Sequence, residues 1–147
     1  MRADVQDTFT HQFGMVVDRD FYMTPRVAIA KQHGLFDVAT VGGRLALANV
    51  WAFNVMSLDT LQRDVYSWNF IVSRVREDGA EVSFGTRTRQ IARSDVPIRV
   101  IIDPPQVNSG QRGEIYEAAL EQWERSKVEI RTLKEFRQEP DQLLPAR

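Results

Sequence analysis

The stretch of residues 81–103 restricts the possible folds of this chain more than any other part of the sequence. In its second half, four β-branched aliphatic residues occupy every second position: Val96, Ile98, Val100 and Ile102. Side chains of a strand alternate between its two faces, so this spacing predicts a strand with one buried face. Residues 81–91 are also expected to be extended, and residues 92–95 have the length of a hairpin connection. The sequence therefore predicts an antiparallel sheet that includes a hairpin over about 80–103.

Several arginines are expected on the other face of this hairpin. Arg87, Arg89 and Arg99 fall on that face, and Arg93 lies in the turn. Guanidinium groups bind phosphate and carboxylate through forked hydrogen bonds, so the pattern predicts an anion-binding or nucleic-acid-binding face. The alternative is a solvated face of charged residues, which is ordinary for an antiparallel sheet. A net charge of −1 argues against a surface devoted to nucleic acid.

An amphipathic helix is predicted over about 58–76. Its apolar residues recur at alternating spacings of three and four: Leu58, Leu61, Val65, Trp68, Val72 and Val75. This stripe is typical of a helix that packs on its own sheet, and Ser57 can cap it. Tyr66, Phe70 and Ile71 widen the apolar surface. The β-branched and aromatic residues leave a strand over 66–76 as the alternative.

A long C-terminal helix is predicted over about 111–137. Its alternative is a helix that ends near Ser126, followed by a strand over 128–133. The polar loop before this helix places backbone amides at a helix N-terminus, which adds Arg112 to the candidate anion-binding residues. The loop does not match a P-loop, because it lacks the Gly-Lys-Ser/Thr sequence.

The first third of the chain gives weaker patterns. Thr24 and Pro25 have the chemistry of a helix start, which predicts a helix to His33 with Gly34 as its left-handed terminator. Residues 44–56 are mostly apolar and fit either a strand or a helix. The chain is therefore predicted to be a single α+β domain over 14–138, with an arm or short helix over 1–13 and a loose tail over 139–147.

The residue inventory contains no recognisable catalytic motif. The chain has no cysteine and only two histidines, which are far apart, so disulfides and thiolate metal sites are excluded. Asp18 and Asp20 form an Asp-x-Asp pair, the one candidate for metal binding. No cofactor is predicted. No apolar run is long enough to span a membrane, and the polar N-terminus lacks a secretory segment, so a cytoplasmic location is expected.

Aromatic residues and arginine, the types that anchor protein interfaces, are well represented. Trp51, Trp68, Trp123 and Tyr116 are the predicted interface residues. We therefore expect a non-enzymatic structural or adaptor subunit of a larger assembly, such as a virion, a secretion machine or a defence complex, with a protein partner or self-association. The alternatives are an anion or nucleic-acid module that uses the arginine face, and a small enzyme with carboxylate chemistry.

Overall fold

The computed structural model describes residues 21–29, 32–41, 45–54, 57–84, 88–106 and 110–138. The strands in this part of the chain are β1 (Phe21–Met23), β2 (Arg26–Ile29), β3 (Gln32–Leu35), β4 (Val38–Thr40), β5 (Ala46–Ala52), β6 (Ala80–Phe84), β7 (Thr88–Ala92), β8 (Ile98–Asp103) and β9 (Glu129–Thr132). The helices are α1 (Leu58–Asp78), α2 (Gly110–Arg125) and α3 (Leu133–Gln138).

The strands form two sheets. A five-stranded mixed sheet has the order β1-β4-β5-β8-β9, in which β5, β8 and β9 are parallel and the first two pairings are antiparallel. A four-stranded antiparallel sheet has the order β3-β2-β6-β7. Helix α2 supplies the crossover that the parallel neighbours β8 and β9 require. The predicted α+β class with an antiparallel sheet is confirmed.

The predicted hairpin, in which one strand over 81–91 pairs with the strand after Val96, does not form, and the hairpin of this region lies within residues 80–92. Strands β6 and β7 pair with each other, with Ala80 opposite Ala92 and Phe84 opposite Thr88. Strand β8 is not part of that hairpin, because it lies between β5 and β9 in the other sheet. Val100, Ile101 and Ile102 are all buried, so β8 has two covered faces, as parallel strands usually do.

Helix α1 forms where the apolar stripe predicts it, so the alternative strand over 66–76 is wrong. The Ser57 hydroxyl accepts a hydrogen bond from the Thr60 N–H at 3.4 Å and caps the first turn. The helix ends at Gly79, whose φ of 71° suits a residue without a side chain. Its buried stripe consists of Leu61, Val65, Trp68, Val72 and Val75.

The single long C-terminal helix is a wrong prediction, and its alternative is confirmed. Helix α2 ends at Arg125, and Lys127 adopts a left-handed φ of 56° that turns the chain. The Val128 N–H donates to the Trp123 carbonyl at 2.8 Å. Val128 is buried, and β9 then extends the parallel sheet beside β8.

The predicted helix from Pro25 to His33 is also wrong, because this segment forms the β2–β3 hairpin. Val27 and Ile29 are both buried and alternate along β2, so tertiary burial outweighs the local signal for a helix start. Gly34 lies in β3, where a Cβ would come within 2.9 Å of Ile71 Cγ1. Residues 46–52 of the ambiguous segment form strand β5. The predicted arm over 1–13 and tail over 139–147 lie outside the described residues.

One core lies between the two sheets and includes the inner sides of α1 and α2. A smaller apolar cluster lies on the other face of the five-stranded sheet, where Phe136 of α3 is packed. Its buried members are Phe21, Val38, Ala48, Val50, Ile101 and Phe136. Burial on both faces of β8 therefore follows from the position of this strand between two apolar clusters.

Candidate functional site

The arginines of the predicted anion-binding face lie in two different sheets. Arg89, on the edge strand β7, pairs with Glu81 at 3.3 Å. Arg99, on β8, pairs with Glu129 at 2.8 Å. The prediction of one face shared by Arg89 and Arg99 is therefore wrong, because it assumed that their strands were neighbours. Arg87 lies outside the described residues.

The other two arginines named as anion-binding candidates are separated from each other as well. Arg93 is exposed in the β7–β8 connection and lies 3.9 Å from an Asp95 carboxylate oxygen. The Arg112 Nη1 donates to the Phe53 carbonyl at 2.5 Å, which joins the first turn of α2 to the end of β5. The described arginines of the set thus do not converge on one site.

A basic groove lies instead at the C-terminal end of α1, with a volume of ≈ 570 Å³. It is lined by four cations and two carboxylates: Arg76, Arg99, Arg125, Lys127, Asp95 and Glu129. Two of the arginines are paired with carboxylates, since Arg99 binds Glu129 and Arg125 binds Glu121, each at 2.8 Å. The groove is therefore a poor anion site.

Arg76 of this groove was not singled out from the sequence, yet it holds three segments together. Its Nη1 donates to the carbonyls of Ser94 at 2.9 Å and Val96 at 2.6 Å. Its Nε donates to the Ser126 carbonyl at 2.8 Å, and its Nη2 donates to the Lys127 carbonyl at 3.2 Å. Desolvation by burial lowers the pKa of Arg76, and nearby Asp95 opposes that shift. Arg76 thus connects α1 to the turns that precede β8 and β9.

The predicted interface tryptophans form the centre of the core. Trp123 is 0% exposed, and Trp51 and Trp68 are each 5% exposed. The Trp68 ring meets the other two edge-on, with centroids 5.9 Å from Trp51 and 6.1 Å from Trp123. Tyr116 is half-buried and packs edge-on against Phe53 at 4.9 Å. The three tryptophans are therefore interior residues and do not serve as exposed anchors.

Two of the tryptophans line a groove of ≈ 870 Å³ between α1, β3 and β5, which we call the α1 groove. Its lining is mainly apolar and consists of Gly34, Leu35, Asn49, Trp51, Asp64, Tyr66, Ser67, Trp68, Phe70 and Ile71. The indole N–H groups of Trp51 and Trp68 are buried and have no hydrogen-bond acceptor among the described residues. Buried donors normally have acceptors, so the wall of the groove contains two unsatisfied groups.

The side of the α1 groove formed by β5 is fixed by a reciprocal pair of hydrogen bonds. The Asn49 Oδ1 accepts from the Asp37 N–H at 2.8 Å. The Asp37 Oδ2 accepts from the Val50 N–H, also at 2.8 Å. Each side chain therefore satisfies a backbone group where β5 runs beside the segment that enters β4, so this wall is held in one position.

Large apolar side chains project beside this groove. Tyr66 is 54% exposed and Phe70 is 51% exposed, and their spacing of four places them side by side along α1. We call this pair the α1 ridge. Leu35, across the groove on β3, is 61% exposed. A second groove of ≈ 420 Å³ lies on the α2 side of the ridge, lined by Tyr66, Asn69, Phe70, Ser73, Ala118 and Gln122.

Among the described residues, those that line the two grooves are almost all uncharged. Asp64 is the only ionisable acid or base among the residues that line the two grooves, tyrosine aside, and it pairs with Arg63 at 3.3 Å. The sequence indicated this surface through the extra apolar residues Tyr66, Phe70 and Ile71 beside the buried stripe of α1. The grooves on either side depend on the placement of β3 and α2, which local periodicity does not determine.

Neither a metal centre nor a membrane span is found in the part of the chain that the structure describes. No group of three or more metal-ligating side chains occurs within it. None of its helices has both the length and the apolar character needed to cross a bilayer. The predicted Asp18 and Asp20 pair lies outside the described residues. Comparisons with models of protein families, with curated proteins and with solved structures gave no match.

Proposed function

We propose that this chain is a non-enzymatic structural or adaptor subunit that binds a protein through the α1 ridge and the grooves beside it. The observation that carries the proposal is the exposure of Tyr66 and Phe70 between two grooves, with Leu35 exposed opposite them. Large aromatic side chains next to pockets are typical anchors of protein interfaces.

The exposed apolar surface is of ordinary size for a monomeric protein, so the proposal rests on its aromatic composition and position beside two grooves. A half-exposed aromatic side chain leaves roughly 100 Å² open to water. The ridge and Leu35 together therefore present roughly 300 Å², which is at the lower end of the largest apolar patches on monomeric proteins. This area suits the centre of an interface with a polar rim around it.

The electrostatics of the surface narrow the class of partner. A phosphate-rich ligand such as nucleic acid requires several cations on one face. The described residues that line the two grooves include no lysine or arginine. Their one charged side chain is the carboxylate of Asp64, which pairs with Arg63. Grooves lined mainly by aromatic and uncharged side chains instead favour a protein partner. A cytoplasmic location is part of this proposal, and a chain without cysteine is compatible with it.

Site-specific photo-crosslinking in the native cells tests the proposal. A benzophenone amino acid replaces Phe70 in one variant and Ile91 in the control, because Ile91 is also exposed but lies on β7 in the four-stranded sheet. We expect a protein adduct of defined mass from position 70 that the added substitution Leu35→Asp removes. Absence of an adduct at position 70, or equal adducts from both positions, would contradict the proposal.

A further inference from the structure

We infer that the α1 groove binds a small uncharged molecule that combines a flat aromatic body with a carbonyl oxygen. This inference goes beyond the proposed function, because it concerns the inside of the groove and requires no protein partner. Small-molecule sites are usually apolar recesses of about 300–1,000 Å³ that contain a few polar groups in fixed positions. The α1 groove, with a volume of ≈ 870 Å³, lies within that range.

Asn49 supplies the fixed polar group of this groove. It is 6% exposed and lies on the same face of β5 as Trp51. Its Oδ1 accepts the Asp37 N–H at 2.8 Å, so the amide nitrogen occupies the other branch of the side chain. Within the described residues, that nitrogen donates no hydrogen bond. A buried amide donor normally has an acceptor, so Asn49 indicates a ligand that carries one.

The tryptophans beside Asn49 indicate the same ligand chemistry. Trp51 and Trp68 line the groove, and their indole N–H groups have no acceptor in the part of the chain that the structure describes. Both indole nitrogens are closed to solvent, so the Asn49 amide is the donor that a bound molecule meets first. All three unpaired groups are donors, so the complementary ligand atom is a hydrogen-bond acceptor such as a carbonyl oxygen.

The charge of the lining disfavours an ionic ligand. Asp64 is the one charged side chain among the described residues of the groove, and its carboxylate repels an anion. A cation would also be poorly held, because Arg63 already pairs with that carboxylate at 3.3 Å and unpaired N–H donors oppose positive charge. The groove therefore suits an uncharged molecule.

The rest of the lining selects an aromatic ligand body. Four aromatic side chains line the groove, namely Trp51, Tyr66, Trp68 and Phe70. Aromatic rings bind other flat rings through stacked or edge-on contacts. The Trp51 and Trp68 rings already support each other edge-on at 5.9 Å, and Asp37 fixes Asn49. The ordering of these groups costs little when a ligand binds, because they are held in place beforehand.

Titration of the full chain with small aromatic probes, followed by proton–nitrogen NMR, tests the inference. Acetophenone and α-methylstyrene have the same shape, but only acetophenone carries a carbonyl oxygen, and benzoate carries a negative charge. We expect acetophenone to bind about fivefold more tightly than α-methylstyrene, as one hydrogen bond normally provides, and more tightly than benzoate. It should shift the Asn49 amide signal more than the indole signal of Trp123, which already donates to Asn69 at 2.7 Å.

Two substitutions at exposed positions of α1 locate the site. Ser67→Phe places a ring in the α1 groove, whereas Asp59→Phe adds the same ring at a position that does not line it. We expect Ser67→Phe to weaken acetophenone binding at least tenfold and Asp59→Phe to leave it unchanged. Circular dichroism verifies that each variant folds.

Three results of the titration would overturn the inference: no binding of acetophenone up to its solubility limit, equal or tighter binding of α-methylstyrene or benzoate, or binding that leaves the Asn49 signal unchanged. Undiminished binding of acetophenone to Ser67→Phe would overturn it as well. The proposed function fails separately, because an adduct at position 70 depends on a protein partner that the titration does not contain.

Discussion

The Trp123 Nε1 donates a hydrogen bond to the Asn69 Oδ1 over 2.7 Å, and this bond joins α2 to α1 beside the core. Trp123 is completely buried, so its N–H depends on Asn69 in place of water. The bond also positions Asn69, which lines the smaller groove next to the α1 ridge. Asn69 therefore contacts the core through Trp123 and also forms part of the proposed binding surface.

Replacement of Asn69 by alanine should destabilise the fold through that indole. A buried donor left without an acceptor costs about 1–3 kcal/mol, so Asn69→Ala should lower the free energy of unfolding by that amount. Urea denaturation followed by tryptophan fluorescence measures the change. The matched control is Gln62→Ala on the same helix, whose side chain donates to the exposed Tyr66 hydroxyl. Equal effects of the two substitutions would contradict the role of the bond.

Among the arginines of α1, we expect Arg76 to contribute most to the stability of the fold. Arg76→Met removes the donors to four carbonyls in the turns before β8 and β9, and we expect a loss of about 2–3 kcal/mol in the free energy of unfolding. The control is Arg63→Met, since Arg63 is 72% exposed and its ion pair within the described part of the chain is with its neighbour Asp64. Thermal and urea denaturation measure the stability of both variants. A loss of stability in Arg76→Met no greater than that in the control would contradict the role of Arg76 in joining α1 to these turns.

A side chain at position 34 should strain the contact between β3 and α1. The Cβ of Gly34→Ala would lie 2.9 Å from Ile71 Cγ1, and overpacking of this kind costs about 1–3 kcal/mol. In a double-mutant cycle, Ile71→Ala should relieve part of the cost, because it removes the atoms that clash. Chemical denaturation of the single and double variants gives the coupling energy. Strictly additive losses would show that the two positions do not touch.

Burial of Tyr116 predicts a pH dependence at the alkaline end. Desolvation raises the pKa of its phenol above the ordinary value of 10.0, so the folded chain retains this proton at pH values where the unfolded chain loses it. The resulting stabilisation is complete below pH 10 and is lost as the pH rises through the raised pKa. We expect the free energy of unfolding to fall more steeply above pH 10 in the wild type than in Tyr116→Phe. If the free energy of unfolding fell equally with pH in the two proteins, the result would contradict the raised pKa of Tyr116.

The sequence was most informative where structure depends on near neighbours. The stripe from Leu58 to Val75 determines both the existence of α1 and its buried face, because residues three and four apart meet on a helix. The strand β8 was also recognised, but its neighbours were not. Pairing with β5 and β9 joins residues far apart in the sequence, and no local pattern specifies it.

Two wrong predictions have a common physical origin. The Thr24-Pro25 sequence favours a helix start, yet the chain gains more by burying Val27 and Ile29 in a strand. Beyond Arg125, the buried Val128 leads into β9, which pairs beside β8, in place of a continued helix. In both places, tertiary burial outweighs a local preference of a few tenths of a kcal/mol per residue.

The candidate surface was only partly predictable for the same reason. Tyr66 and Phe70 stood out as apolar residues outside the main stripe, and they form the exposed ridge. The tryptophans were predicted as interface anchors from residue type alone, but their large rings fill the core. The grooves beside the ridge require the positions of β3 and α2, which emerge only from the assembled fold.

Site-specific photo-crosslinking at position 70 tests most directly whether the α1 ridge binds a protein. Phe70 is 51% exposed beside the two grooves, whereas the control position Ile91 is 73% exposed on β7. We predict an adduct of defined mass at position 70 that the substitution Leu35→Asp removes. Equal adducts at positions 70 and 91, or no adduct at position 70, would contradict docking through α1.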